Sequence, residues 1–137
     1  MKGQYLTIEH VFFFAIGITM VVLVYFTFTN VNSSLREKSA QAQLFRVGES
    51  IRGSSLKVFS AANQTNSLVR YNLDIPTSVS GCVYKINVGN FLELTCIDNP
   101  KLSASLSMYG INTRTAVLYS TKGSLEISSA GGFVELR

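Results

Sequence analysis

The chain has 137 residues, enough for one long helix and one small domain. Twelve Lys and Arg against eight Asp and Glu give a net charge of +4, but the basic residues stand singly, so there is no electrostatic footprint for nucleic acid. One His, two Cys and no Trp leave too few side chains for most catalytic or metal-binding constellations.

The hydrophobic excess lies in the first 30 residues. Val11 to Phe28 is 18 residues without a charge, interrupted weakly by Gly17, Thr19 and Thr27. As a helix it covers about 27 Å, close to the hydrocarbon thickness of a bilayer. It is longer than the apolar region of about 7–15 residues in a cleaved secretory signal, and Thr29-Asn30-Val31-Asn32 offers no small-residue cleavage site. The rest of the chain is too short to surround a helix that is apolar on all sides. The segment therefore reads as a membrane-inserted helix. His10, at its mouth, reads as an interfacial residue. Glu9 is the odd residue at that mouth, since a carboxylate there must stay wet or find a partner. A place in the first helical turn, with the carboxylate favouring the dipole, is one reading.

A second reading comes from resemblance. Lys2-Gly3-Gln4-Tyr5-Leu6-Thr7-Ile8-Glu9, followed at once by the apolar run, resembles the class III signal peptide of archaeal type IV pilins and pilin-like proteins. In that family a dedicated membrane peptidase removes a short basic leader and leaves the apolar segment on the mature protein. The family pattern is Gln, any, Ser, any, Glu. Gln4 and Glu9 match it, Thr7 stands for Ser, and one residue is extra between Gln4 and Thr7. The resemblance implies a processing site at Gly3, Gln4 and Tyr5. A cut after Gly3 makes Glu9 the sixth mature residue, and a cut after Gln4 makes it the fifth. It also implies an assembly role for Thr7 and Glu9, with the Glu9 carboxylate neutralising the new amine of a neighbouring subunit in an apolar filament core. A prepilin-type peptidase, the membrane and other pilin-like subunits, as a homo- or hetero-oligomer, are the implied partners.

Val31 to Ala62 reads as helix continuing beyond the membrane, with Leu44, Val47, Ile51 and Val58 at helical spacing and Arg46, Glu49 and Arg52 on other faces. Gly48 and Gly53 weaken it. Such a stem is expected to pack its stripe on the domain that follows. Asn32-Ser33-Ser34 and Asn63-Gln64-Thr65 are glycosylation sequons, making Asn32 and Asn63 candidate acceptors, the second in a polar stretch that ends the stem.

From Leu68 the period turns to alternation. Leu68–Leu73 reads as a strand ended by Pro76. Cys82–Val88 and Phe91–Cys96 form the clearest hairpin, turning at Gly89-Asn90. Matching the apolar sets predicts Ile86 opposite Leu92, Tyr84 opposite Leu94 and Cys82 opposite Cys96, within disulfide reach. A Cys82–Cys96 bridge implies an oxidising compartment. Two thiolates without a nearby His or Cys cannot complete a tetrahedral metal shell. Leu102, Ala104, Leu106 and Met108 alternate with Ser103, Ser105 and Ser107. Strands at Arg114 to Ser120, carrying Val117 and Tyr119, at Leu125 to Ile127 and at Phe133 to Leu136 follow, with turns at Lys122-Gly123 and Ala130-Gly131-Gly132. The spacing suggests an antiparallel meander or a small sandwich, and the tail resembles the β regions of archaeal pilin-like proteins by pattern.

The fold class is thus α+β: a leader at 1–4, a transmembrane or assembly helix at 5–30, a helical stem and linker at 31–67, and an antiparallel β domain at 68–137. Arg36, Lys38 and Arg46 outnumber Lys2 across the membrane, so the positive-inside rule taken alone puts the domain inside. The paired cysteines and the sequons put it outside, and the domain is read as extracytoplasmic. No nucleophile has a base beside it, and the acids Asp74, Glu93, Asp98, Glu126 and Glu135 stand apart. No enzyme and no cofactor are expected. The expected function is a structural subunit of an archaeal surface filament or related assembly. The alternative is a single-pass anchored β module that binds or scaffolds a surface partner without polymerising.

Overall fold

The computed structural model describes the backbone of residues 2–137 and the side chains of residues 8–137. One helix, α1, runs unbroken from Lys2 to Thr65. Seven strands follow: β1 (Val69–Asp74), β2 (Tyr84–Val88), β3 (Phe91–Cys96), β4 (Ser103–Ser107), β5 (Ala116–Tyr119), β6 (Ser124–Ala130) and β7 (Phe133–Leu136). This is the α+β layout that the change of period predicts. The chain divides into two compact units, Met1–Arg36 and Glu37–Arg137, and each is taken by itself.

The second unit holds the core. Ala40, Leu44, Gly48, Ile51, Ser55, Val58 and Ala62 recur at three- and four-residue steps along α1 and are all buried. Leu44, Ile51 and Val58 are members of the stripe read from the sequence, whereas Val47 is only partly buried. They join Tyr84, Ile86, Leu92, Leu94, Leu106, Leu125 and Ile127 in one apolar cluster. Each large side chain fully buried this way contributes about 1.5–3 kcal/mol. Arg46 and Glu49 face solvent, and Arg52 approaches Glu49 at 3.7 Å.

Gly48 has the opposite meaning from the one its helix propensity suggests. A Cβ at Gly48 would land on Leu106 Cδ1 and 3.2 Å from Leu94 Cδ1. The absence of a side chain therefore sets how near α1 comes to β3 and β4. Gly53 has nothing within 4 Å and only weakens the helix.

The strands form two antiparallel sheets, ordered β1-β6-β7 and β4-β3-β2-β5. The expected meander forms only in part, through β2, β3 and β4. β1 pairs with the distant β6, and β5 returns to the side of β2. Alternation in a sequence says which face a residue takes and leaves open which strand lies beside it.

The hairpin register also differs from expectation, by two residues. Val88 pairs with Leu92, Ile86 with Leu94 and Tyr84 with Cys96. A shift of two keeps every side chain on its face. It adds the pair Val88–Leu92 to the ladder, burying both, by tightening the loop to Gly89-Asn90-Phe91. Cys82 consequently lies outside β2. It closes a tight turn in which Cys82 and Val79 exchange backbone hydrogen bonds at 2.8 and 2.9 Å, with Ser80 and Gly81 at φ of 51° and 81°. Two positive φ values in succession are what a type I′ turn requires.

Tyr84 ties the two halves of the sheet region together. Its ring is fully buried, and its hydroxyl donates to the Pro76 carbonyl at 2.7 Å. Its backbone N–H donates to Ser120 Oγ at 3.1 Å, and that hydroxyl donates to the Thr77 carbonyl at 2.7 Å. Burial pushes the Tyr84 hydroxyl from 10.0 up to about 12.

Two predictions follow from this packing. Gly48→Val is expected to cost about 1–3 kcal/mol by overpacking, while Gly53→Ala is expected to add up to about 1 kcal/mol; thermal unfolding of the full chain in detergent reads both signs. The folded chain holds the Tyr84 proton more tightly than the unfolded chain does, so this group's contribution is full below pH 10 and is lost as pH rises from 10 to about 12. Urea titrations across that range should show wild type losing stability more steeply than Tyr84→Phe, which itself costs about 1 kcal/mol at neutral pH.

Candidate functional site: the apolar helix segment and its carboxylate

Within the first unit, the described part of α1 has no partner for its apolar surface. Ile8, Phe12, Phe13, Phe14, Val21, Val24, Tyr25 and Phe28 are each about two-thirds exposed, between 65% and 71%, where a soluble fold would bury them. None of the most apolar 18-residue window is buried. Among the described residues this is one helix long and apolar enough to cross a membrane.

Its few polar groups are satisfied within the helix. Thr19 Oγ1 donates to the Ala15 carbonyl at 2.8 Å, and Thr27 Oγ1 to the Leu23 carbonyl at 2.8 Å. Thr29 Oγ1 is shared between the carbonyls of Tyr25 and Phe26, both at 3.0 Å. Hydrocarbon tolerates such hydroxyls because no hydrogen-bonding group is left bare.

Glu9 breaks that pattern. It is exposed, and it shares an open hollow with Ile8, Phe12, Phe13 and Ile16. Phe12 and Phe13 lie three and four positions on, so they flank the carboxylate on its own face. Among the described residues no cation pairs with it. His10 is exposed beside it. The side chains of Gln4, Tyr5 and Thr7, which with Gly3 are the processing and assembly positions the resemblance implies, lie outside the described residues; the backbone there is helical. A carboxylate fixed on an apolar surface attracts one kind of partner strongly, a cation brought into the same low-dielectric surroundings.

The other candidates lie elsewhere. Cys82 and Cys96 form a disulfide with Cα atoms 6.0 Å apart, Cys96 being buried at the end of β3. The bridge fastens the Val79–Cys82 turn to the four-stranded sheet. Asn32 and Asn63 are both exposed and both on α1, which extends to Thr65, so the second sequon sits in the last helical turn and not in a loop. Its Thr65 hydroxyl donates to the Ala61 carbonyl at 2.8 Å. Glu126 and Glu135 are engaged at the surface with Arg70 (3.8 Å) and Arg137 (3.1 Å). No group of three His, Cys, Asp or Glu among the described residues is placed to hold a metal ion. Propensity reasoning missed Gly48 and the Ser120 hydroxyl, because neither announces itself without knowledge of what packs beside it.

Comparison of the chain with family models, with characterised proteins and with solved structures finds no match.

The disulfide joins residues 14 apart in the sequence. Reduction, or Cys96→Ser, is expected to lower stability by about 3 kcal/mol, read as a fall in melting temperature that spares the helix signal of the apolar segment in detergent.

Proposed function

We propose that the chain is a pilin-like structural subunit that assembles through the apolar half of α1 into a surface filament or a related membrane-rooted assembly. One observation carries this reading. The same helix uses its C-terminal half as a core element and leaves the described part of its N-terminal half, from Ile8, unburied, with a single carboxylate at the head of the apolar run. A plain anchor needs the apolar run. It does not need Glu9, which at a membrane mouth must stay wet or find a partner. A neighbouring copy whose N-terminal amine is exposed by processing supplies that compensation. Gly3, Gln4 and Tyr5 then frame the cut made by a prepilin-type peptidase, and Thr7 and Glu9 belong to the contact between copies. The domain faces the outside, in keeping with its disulfide. Its role is architectural and not catalytic.

The test combines two measurements. Mass spectrometry of the mature chain should find a start at Gln4 or Tyr5; an intact Met1 favours the non-polymerising anchored module instead. Glu9→Gln should leave the disulfide-bonded domain folded and lower the sedimentable assembly by about tenfold or more, equivalent to about 1.4 kcal/mol per contact. Undiminished assembly from that variant would rule out the role given to Glu9.

A further inference from the structure

The two sheets have four outer edges, and they are not protected alike. Along β7, the Val134 N–H donates to the Asn112 carbonyl at 2.8 Å and the Arg114 N–H donates to the Val134 carbonyl at 3.0 Å, so that edge is already met by the chain. The outer edge of β1 carries Arg70, Asn72 and Asp74, all exposed. Charge on an edge strand is a standard guard against pairing with another chain. The four-stranded sheet has neither protection. β4 reads Ser-Ala-Ser-Leu-Ser and β5 reads Ala-Val-Leu-Tyr, with no charge or proline, and among the described residues no backbone group bonds their outer edges.

The ladder says which backbone groups those edges offer. The Cys96 N–H donates to Leu102 and the Met108 N–H to Asn90, so the even-numbered residues of β4 bond β3. Ser103, Ser105 and Ser107 therefore turn their N–H and C=O groups outward. The Ser103 carbonyl accepts a long 3.5 Å contact from Gln41 Nε2; the others have no partner among the described residues. The same alternation, carried across β2, turns the backbone groups of Val117 and Tyr119 outward from β5. Val117 and Tyr119 are themselves 56% and 50% exposed.

We propose that the four-stranded sheet continues from copy to copy, with β5 of one chain pairing antiparallel to β4 of the next. Three features select a second copy in this arrangement. Four alternating strands leave β4 and β5 running in opposite senses, so a translated copy presents an antiparallel partner with no change of orientation. The cross-strand rows are in step. Ser105, Glu93, Asn87 and Val117 form one row, and Ser103, Thr95, Lys85 and Tyr119 form the next. Continuation therefore sets Val117 of one copy beside Ser105 of the other, and Tyr119 beside Ser103, each as a hydrogen-bonded pair, and the alternation of pair types runs on unbroken. Finally, a two-fold pairing of β4 with β4 would use one edge and leave the other bare, whereas the head-to-tail pairing uses both and does not close. The inference rests on the proposed assembly only in taking a copy of this chain as the occupant, and it uses a surface separate from the apolar helix.

The test is cross-linking of full-length chains in vesicles. One population carries Ser105→Cys and the other Val117→Cys, and the reagent is a bis-maleimide spanning about 9–10 Å, two strand spacings. Within one chain these positions are three spacings apart, about 14 Å, beyond its reach. The mixture is expected to give a cross-linked dimer, neither variant alone should give one, and a chain carrying both should give a ladder of multiples. Ser103→Cys with Tyr119→Cys repeats the reading on the second row. All four positions lie on the outward face of the sheet, and alkylation with mass analysis confirms that Cys82–Cys96 remains bridged. No dimer from either mixture, or a dimer from Ser105→Cys alone, overturns the proposal. Filaments that form without the cross-link overturn it while the helix-driven assembly stands. A cross-link from chains with an uncut N-terminus supports it and removes the filament reading.

Discussion

The apolar half of α1 constrains everything else about this molecule, because water is not an acceptable neighbour for it. Ile8 to Phe28 exposes aromatic and branched side chains on every side. At about 1.5–3 kcal/mol for each large side chain, leaving that surface wet would outweigh the whole stability of a small domain. Lipid tails or other helices have to cover it. The domain takes its own helical stripe from the other half of α1.

How that stripe is used shows a different kind of economy. The step pattern from Ala40 to Ala62 alternates large side chains with Gly48, Ser55 and two alanines. Leu106 and Leu94 fill the space that Gly48 leaves open. Ser55 is fully buried and returns its hydroxyl to the Ile51 carbonyl at 2.8 Å, so its burial leaves nothing unpaired. On the far side of the core, Ser120 serves two backbone groups at once, a donor on β2 and an acceptor in the loop after β1. Small residues and hydroxyls thus fix distances that the apolar side chains alone would leave adjustable.

Much of this was legible in the sequence, and the limits follow from physics. Helical and alternating periods are local, so the helix, the stripe through Leu44, Ile51 and Val58, and most strands could be read from spacing. The Cys82–Cys96 bridge was expected from a register that set the two residues directly opposite each other; it forms although Tyr84 takes that place, because Cys82 sits in the turn just before β2 and still comes within reach of Cys96. Neighbours across the sheet are non-local, so the β1–β6 and β2–β5 pairings could not be read. The hairpin register slipped by two because a tight loop and a wider one satisfy the same facial pattern. Gly48 could not be interpreted, since its value lies in Leu106, a residue far away in sequence. At the helix head, Glu9 stands out in any reading, because one charge against an apolar run is visible without a structure.

The threonines of the apolar segment have a consequence for exchange between environments. Thr19, Thr27 and Thr29 each direct their hydroxyl back to a carbonyl of their own helix. The outer surface there offers dispersion contacts and little else. A helix finished in this way can be surrounded by acyl chains or by the flanks of other helices without a hydrogen bond changing hands. Exchange between such surroundings would then depend on shape and on the Glu9 carboxylate. Along the run any apolar surroundings satisfy it equally, and the demand for a partner of particular chemistry is concentrated at Glu9.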